Sequence, residues 1–325
     1  MPNSYLRDVV VATLILLFQS YLLLINKLTT LFFRLAALSC WAFSITSCAV
    51  RKTTNLTYQQ GTSKIPEQQL DVYAPRKAKS PRPVLIFIHG GNWNSGRKEQ
   101  YWPMGRNFAR KGIVTVVIDY PLSPAANYDD MAKASAKAVQ WTVENIGKYG
   151  GDTSRLFLSG HSAGGHLAAL IGLDGTYFKD LSMQDPTTGL VLIDAAGLDM
   201  YNYLLEKKYP SDNIYIKTFS NDPAIWKKAS PRYYLQQNMP PMLIYRGGET
   251  YESIEKSTEA FMGDYRKFIP EPRYKVLKGK KHVPMIVQFF WPWNSNFREI
   301  VDFMEAGGKK IEEGKKGIDR SKIIH

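Results

Sequence analysis

Arg155-Leu-Phe-Leu-Ser-Gly-His-Ser-Ala-Gly-Gly-His-Leu-Ala-Ala-Leu170 decides how the rest of the chain is read. Leu156 to Leu158 is a short apolar run that suits a buried strand, and Ala163 to Leu170 is rich in Ala and Leu, which favours helix. Between them lies Gly160-His161-Ser162-Ala163-Gly164, a G-x-S-x-G pattern. Strand before and helix after distinguish a nucleophile elbow from a chance match. Such a turn is too tight for bulk two residues either side of the serine, hence Gly160 and Gly164. The helix that follows aims its N-terminal dipole and the Ala163 N–H at the serine.

Working outward, Val84–Ile88 is an unbroken apolar run, as expected of a strand covered on both faces, and Val114–Asp119 reads as a second buried strand. Gln69–Pro75 alternates and ends at a proline, which reads as an edge strand, with a possible first strand near Leu56–Gln60. Further strands are expected at Leu190–Asp194, Met242–Tyr245 and Tyr274–Leu277. Helices are expected at Glu99–Lys111, Asp129–Ile146, Glu252–Lys267 and Asn296–Glu305. Strands alternating with helices imply an α/β fold with a mostly parallel central sheet and helices on both faces. Residues 200–238, rich in Tyr, Lys and Asn, read as a small cap insertion.

A serine hydroxyl needs a base within hydrogen-bond reach, and His282, just after the last strand, is the histidine placed to serve. His161 is expected to point away from the hydroxyl, His166 to pack in the core, and His89 to brace the glycine loop that follows it. Glu249, in the glycine turn after Met242–Tyr245, is read as the carboxylate that orients the imidazole. Glu252, Asp194 and Asp199 are the other acids considered. The oxyanion hole falls to the N–H groups of Gly91, Asn92 and Ala163. Trp93, His161 and Trp291 are expected to line the substrate pocket, and Phe289, Phe290 and Trp293 could extend it. The chain order Ser162, Glu249, His282 is that of α/β-hydrolases.

The 44% apolar and 13% aromatic content suits a folded protein with a substantial core. The net charge of +13 is spread along the chain rather than clustered among aromatics, which argues against nucleic-acid binding and leaves room for an anionic surface. Both cysteines, Cys40 and Cys48, precede residue 50, so the body has no disulfide framework. The histidines show no metal-ligand spacing, and neither metal nor cofactor is expected.

Residues 1–50 read as a signal or membrane-targeting segment, apart from the hydrolase domain at 51–306 and a basic tail at 307–325. Val9–Ile25 is one apolar run. The second, from Leu28 to Val50, resembles a bacterial lipoprotein signal ending in the lipobox-like Ile45-Thr46-Ser47-Cys48. That resemblance implies lipidation of Cys48 and a cell-envelope location facing away from the cytoplasm, with an uncleaved signal anchor as the alternative.

From Leu70 to Glu305 the chain resembles the carboxylesterase/lipase branch of the α/β-hydrolases that carries a His-Gly-Gly-x-Trp oxyanion loop. That branch includes kynurenine formamidase, plant prenylcysteine methylesterases and bacterial feruloyl or acetyl-xylan esterases. The matching pieces are Leu70–Pro75, His89-Gly-Gly-Asn-Trp93, Asp119-Tyr120, Tyr149–Asp152, Gly160–His166, Ala229-Ser-Pro231, Gly247–Glu249 and Lys281-His282. Members often place Asp where this chain has Glu249. The resemblance implies a serine hydrolase that cleaves carboxylic esters of small molecules through an acyl-enzyme. An arylformamidase is the alternative, followed by a non-catalytic binding protein on the same frame.

Overall fold

The computed structural model describes residues 23–34, 50–76 and 80–307. The chain divides into two compact units, Met1–Ala49 and Val50–His325. In the first, residues 23–34 are helical. No helix among the described residues is long and apolar enough to cross a membrane. The lipobox and most of the two apolar runs lie outside the described residues, as does the tail beyond Gly307.

The second unit is an α/β-hydrolase fold. Its sheet of eight strands runs β1-β2-β4-β3-β5-β6-β7-β8. The strands are β1 (Val50–Gln59), β2 (Gln68–Pro75), β3 (Arg82–Ile88), β4 (Val114–Ile118), β5 (Gly151–His161), β6 (Thr187–Ile193), β7 (Met242–Gly247) and β8 (Arg273–Leu277). β2 pairs antiparallel with β1 and β4, and the strands from β4 to β8 pair parallel. The apolar runs become the sheet's interior: every residue of Val84–Ile88 is 1% exposed or less, each contributing about 1.5–3 kcal/mol on burial.

β2 is not an edge strand. It is covered by β1, and its alternation has another cause. Asp71 is buried, with the Lys98 ammonium 3.4 Å away and the Asn55 N–H donating to it at 3.1 Å. A polar residue in a period-two pattern here marks a buried ion pair rather than a solvent face.

One face of the sheet is covered by α2 (Tyr128–Asn145), α3 (Ala163–Leu173) and α7 (Glu252–Tyr265), and the other by α1 (Trp102–Arg110) and α9 (Ser295–Glu305). α2 starts where it does because the Asn127 side chain accepts from the N–H groups of Asp129 and Asp130. The expected helix at Glu99–Lys111 opens as a 3-10 turn, Lys98–Tyr101, before α1. Between β6 and β7 the cap folds as α4 (Met200–Lys207), α5 (Ile214–Phe219) and α6 (Pro223–Lys228). A short α8 (His282–Val287) precedes α9 and had no periodic signal in sequence.

The two glycines of the elbow are fixed by close approach. A Cβ on Gly164 would sit 2.0 Å from the carbonyl oxygen of Ile88 and 2.4 Å from that of His89, and one on Gly160 would sit 2.2 Å from the Gly164 oxygen. All three obstacles are backbone, so nothing can swing aside. Gly164→Ala is therefore expected to cost about 4 kcal/mol or more. A melt followed by circular dichroism should show a fall in Tm of ten degrees or more, roughly. An unchanged Tm would mean the elbow relaxes.

Candidate active site

The end of β5 and the start of α3 place Ser162 at the sheet's carboxyl edge with φ +55° and ψ −123°. A side chain other than glycine rarely adopts this backbone, and it is held by its neighbours: the Ser162 N–H donates to Ile193 O at 3.3 Å, while Ser162 O accepts from His166 and Ala196. The hydroxyl is thereby lifted off the sheet towards His282.

His282 opens α8. Its Nε2 lies 2.9 Å from Ser162 Oγ, and its Nδ1 lies 2.7 Å from Asp194 Oδ2. The network assigns the proton to Nδ1, donated to the carboxylate, and leaves Nε2 as acceptor for the serine O–H.

The carboxylate is Asp194, at the end of β6, and not Glu249. Asp194 is fully buried, with φ +47°. Its oxygens also accept the Gly247 N–H at 2.7 Å and the Thr250 hydroxyl at 2.5 Å. Burial pushes the Asp194 carboxyl up, but the bonds from His282, Thr250 and Gly247 outweigh that and hold it below the usual carboxylate range. Glu249 is exposed because its loop folds back along the chain after β8. The Glu249 N–H donates to Lys280 O at 3.0 Å, and its side chain lies on the Gly279 side. Asp194 could be read from its place directly after a buried apolar run. Thr250 carried no sequence signal.

His161 lines the pocket, as expected, with its ring 4.5 Å from that of His282. Its Nε2–H donates to His282 O at 3.1 Å, pinning the backbone that carries the base. Burial, and then the neighbouring His282, push the His161 imidazole down to about 3, so it stays neutral at physiological pH. His166 and His89 behave as expected. His166 is buried, accepting from Trp93 Nε1 at 3.2 Å and donating to Ala229 O at 2.7 Å. His89 Nδ1 donates to Gly90 O at 2.8 Å.

The loop after β3 takes Gly91, Asn92 and Trp93 through positive φ in succession, at +135°, +50° and +59°. Gly90 N–H is used by the Tyr101 hydroxyl at 3.2 Å. Gly91 and Asn92 line the cavity above Ser162, and the Asn92 side chain accepts from Tyr215 of the cap at 3.0 Å.

Trp93 does not line this cavity. The left-handed turn sends its indole inward, where it is 2% exposed and packs edge-on against His166 and Phe219. Trp291 is absent from the cavity as well. It is half-exposed on the outer surface beside Trp293, and Phe289 is core. The walls come instead from tyrosines that sequence reasoning did not single out. Tyr203 and Tyr215 of the cap and Tyr251 join Ile254, Val283 and Ile286 around a cavity of about 720 Å³. Tyr209 stacks on Tyr215 at 5.2 Å and Tyr203 bonds to the Tyr209 hydroxyl at 2.7 Å, which stiffens that wall.

Ligand atoms of His161, Asp194 and His282 lie within 4.8 Å of one another, as a metal site would require. The Asp194 oxygens, however, already serve His282, Thr250 and Gly247, and His161 spends its Nε2–H on a carbonyl. The trio fits a proton relay better than an ion.

Among families, BD-FAE matches residues 70–258. A probable isoprenylcysteine alpha-carbonyl methylesterase of Oryza sativa subsp. japonica is 39% identical over 240 residues, covering 69% of this chain and 57% of the relative. The kynurenine formamidase of Salmo salar is 34% identical over 117 residues, 36% of this chain and 37% of that one. The chain thus spans about half the length, or less, of these curated relatives. A solved carbohydrate esterase from gut microbiota, in truncated form, superposes with a TM-score of 0.68 at 20% identity, covering 80% of this chain and 97% of that one. At that identity the likeness concerns the fold.

Proposed function

The chain belongs to the BD-FAE family, and on that premise we propose that it is a serine hydrolase cleaving carboxylic esters through an acyl-enzyme. The observation that carries this reading is the unbroken line from Ser162 Oγ through the His282 imidazole to Asp194, at 2.9 and 2.7 Å, with Ser162 and His282 lining one cavity and Asp194 buried behind them.

In the proposed reaction Ser162 Oγ attacks the ester carbonyl while His282 Nε2 takes its proton. The imidazolium so formed is stabilised by Asp194, which stays ionised. The carbonyl oxygen becomes an alkoxide and is met by the N–H groups of Gly91, Asn92 and Ala163. The first two donate to no other group among the described residues, and the third is an unpaired amide of the first helical turn. His282 then passes the proton to the departing alcohol. Water, deprotonated by the same imidazole, releases the acid and regenerates Ser162.

The tyrosine walls suit an ester with a flat or ring-shaped part beside the scissile bond. An arylformamidase would use the same groups on a C–N bond, a reading supported by the partial match to a kynurenine formamidase. Hydrolysis of p-nitrophenyl acetate, aryl esters, acetylated sugars and N-formylkynurenine should be compared on one preparation. Esters are expected to turn over at least tenfold faster than the formamide. Faster formamide hydrolysis would select the other reading, and no turnover of any would defeat both.

The lipobox reading of Cys48 carries a separate proposal, that the chain is held at a membrane by a lipid on this cysteine. Mass spectrometry of the protein from membrane fractions should find a lipid-modified Cys48 at the mature N-terminus, and an intact Met1 there would refute it.

A further inference from the structure

The outer surface of α8 and the segment after it leave apolar side chains in water. Val283 and Val287, one helical turn apart, are 58% and 38% exposed, while Met285 and Ile286 on the opposite side are core. Trp291 and Trp293 follow, 54% and 77% exposed, with their rings 5.5 Å apart. With Pro284 and Gln288 these residues line a shallow groove of about 330 Å³. Two neighbouring indoles and two valines form a contiguous apolar face, unlike the scattered exposed hydrophobics common to any surface.

Two observations indicate what covers this face. The first is charge. Lys278 and Lys281 are exposed on the turn leading into α8, and Lys280 lines the groove itself. None of the three makes an ion pair among the described residues, whereas Lys275 nearby is bound to Glu299 at 2.8 Å. Glu249 is the acid on this rim, and the chain as a whole carries +13. The second is position. Val283 also lines the catalytic cavity, so the apolar face runs into its mouth. Indoles beside free lysines suit the headgroup level of a bilayer, where the ring is half buried and the ammonium meets phosphate.

We propose that the face formed by Val283, Val287, Trp291 and Trp293, with Lys278, Lys280 and Lys281, docks on an anionic lipid surface and turns the mouth of the catalytic cavity towards it. An ester that partitions into the bilayer then reaches Ser162 without crossing bulk water. The docking itself is independent of the reaction at Ser162 and of any N-terminal anchor.

The test uses the full chain carrying Ser162→Ala, so that no turnover disturbs the lipid, and Trp41→Phe, so that the apolar N-terminal segment holds no indole, with vesicles of dibrominated phosphatidylglycerol or dibrominated phosphatidylcholine. Bromine quenches only indoles that enter the bilayer. Quenching is expected with phosphatidylglycerol and to be at least tenfold weaker, in lipid needed for half-effect, with phosphatidylcholine. Trp291→Phe with Trp293→Phe should abolish most of it by removing the reporters. Lys278→Gln with Lys280→Gln should raise the lipid required by about fivefold per lysine. Equal quenching by both lipids, or quenching unchanged in the double Phe variant, would overturn the proposal. So would a lipid-free dimer in sedimentation velocity that the double variant dissolves, because the face would then cover a second copy.

Discussion

Asp194→Asn is expected to lower kcat on p-nitrophenyl acetate by about 10⁴-fold with little change in KM. The side chain is enclosed, so the amide must occupy the carboxylate's place. Its oxygen keeps the acceptor for Gly247 N–H, but the edge shared by His282 Nδ1 and the Thr250 hydroxyl now presents N–H. The imidazole answers with the other tautomer, placing its proton on Nε2, where it can no longer receive one from Ser162. The lost stabilisation of the imidazolium is about 5.5 kcal/mol. Glu249→Gln, by contrast, alters an exposed side chain and should leave kcat within about twofold, in line with other surface changes. Stopped-flow release of p-nitrophenol from both variants decides the matter. A larger loss in Glu249→Gln would return the acid to the β7 loop.

Ser162→Ala is expected to remove about 10⁶ of kcat, leaving a residue of activity 10³–10⁴ above water from the amide donors and binding alone, roughly. The substitution deletes one oxygen and retains the backbone bonds of the elbow, so the melt should barely move. A second readout fixes the atom involved. A diethyl p-nitrophenyl phosphate inhibitor should add a single diethylphosphoryl group to the wild-type chain, on the peptide holding Ser162, and none to the variant. Labelling that persists in Ser162→Ala would place the nucleophile elsewhere.

Much of the frame was legible because buried parallel strands announce themselves. Val84–Ile88 and Leu190–Ile193 are unbroken apolar runs and Val114–Ile118 is interrupted only by Thr115, and the structure turns each into a strand within three residues of the expected ends. The elbow was legible for a different reason, since two glycines around a serine have few other uses between a strand and a helix. The acid was harder. Asp194 and Glu249 both follow a strand, and sequence order alone cannot say which of two adjacent loops sends its side chain inward. That depends on the positive φ of Asp194 and on a loop at 247–249 tied to Lys280, both tertiary facts. Trp93 and Trp291 failed as pocket residues because an aromatic's sequence position near the serine or histidine carries no information about direction. The cap's tyrosines were visible as composition, but only folding set Tyr203 and Tyr215 against the cavity.

The relocation of the acid has a mechanical side. Ser162 and Asp194 each follow directly on the ladder pairing His161 with Ile193, so one pair of neighbouring strands clamps both ends of the relay. Only the imidazole arrives from the sheet's margin, on a turn beyond the eighth strand. Gentle warming or dilute urea would then silence the protein by withdrawing that single ring, while its spectrum still reports an intact sheet and its flanking helices, and cooling would restore it at once.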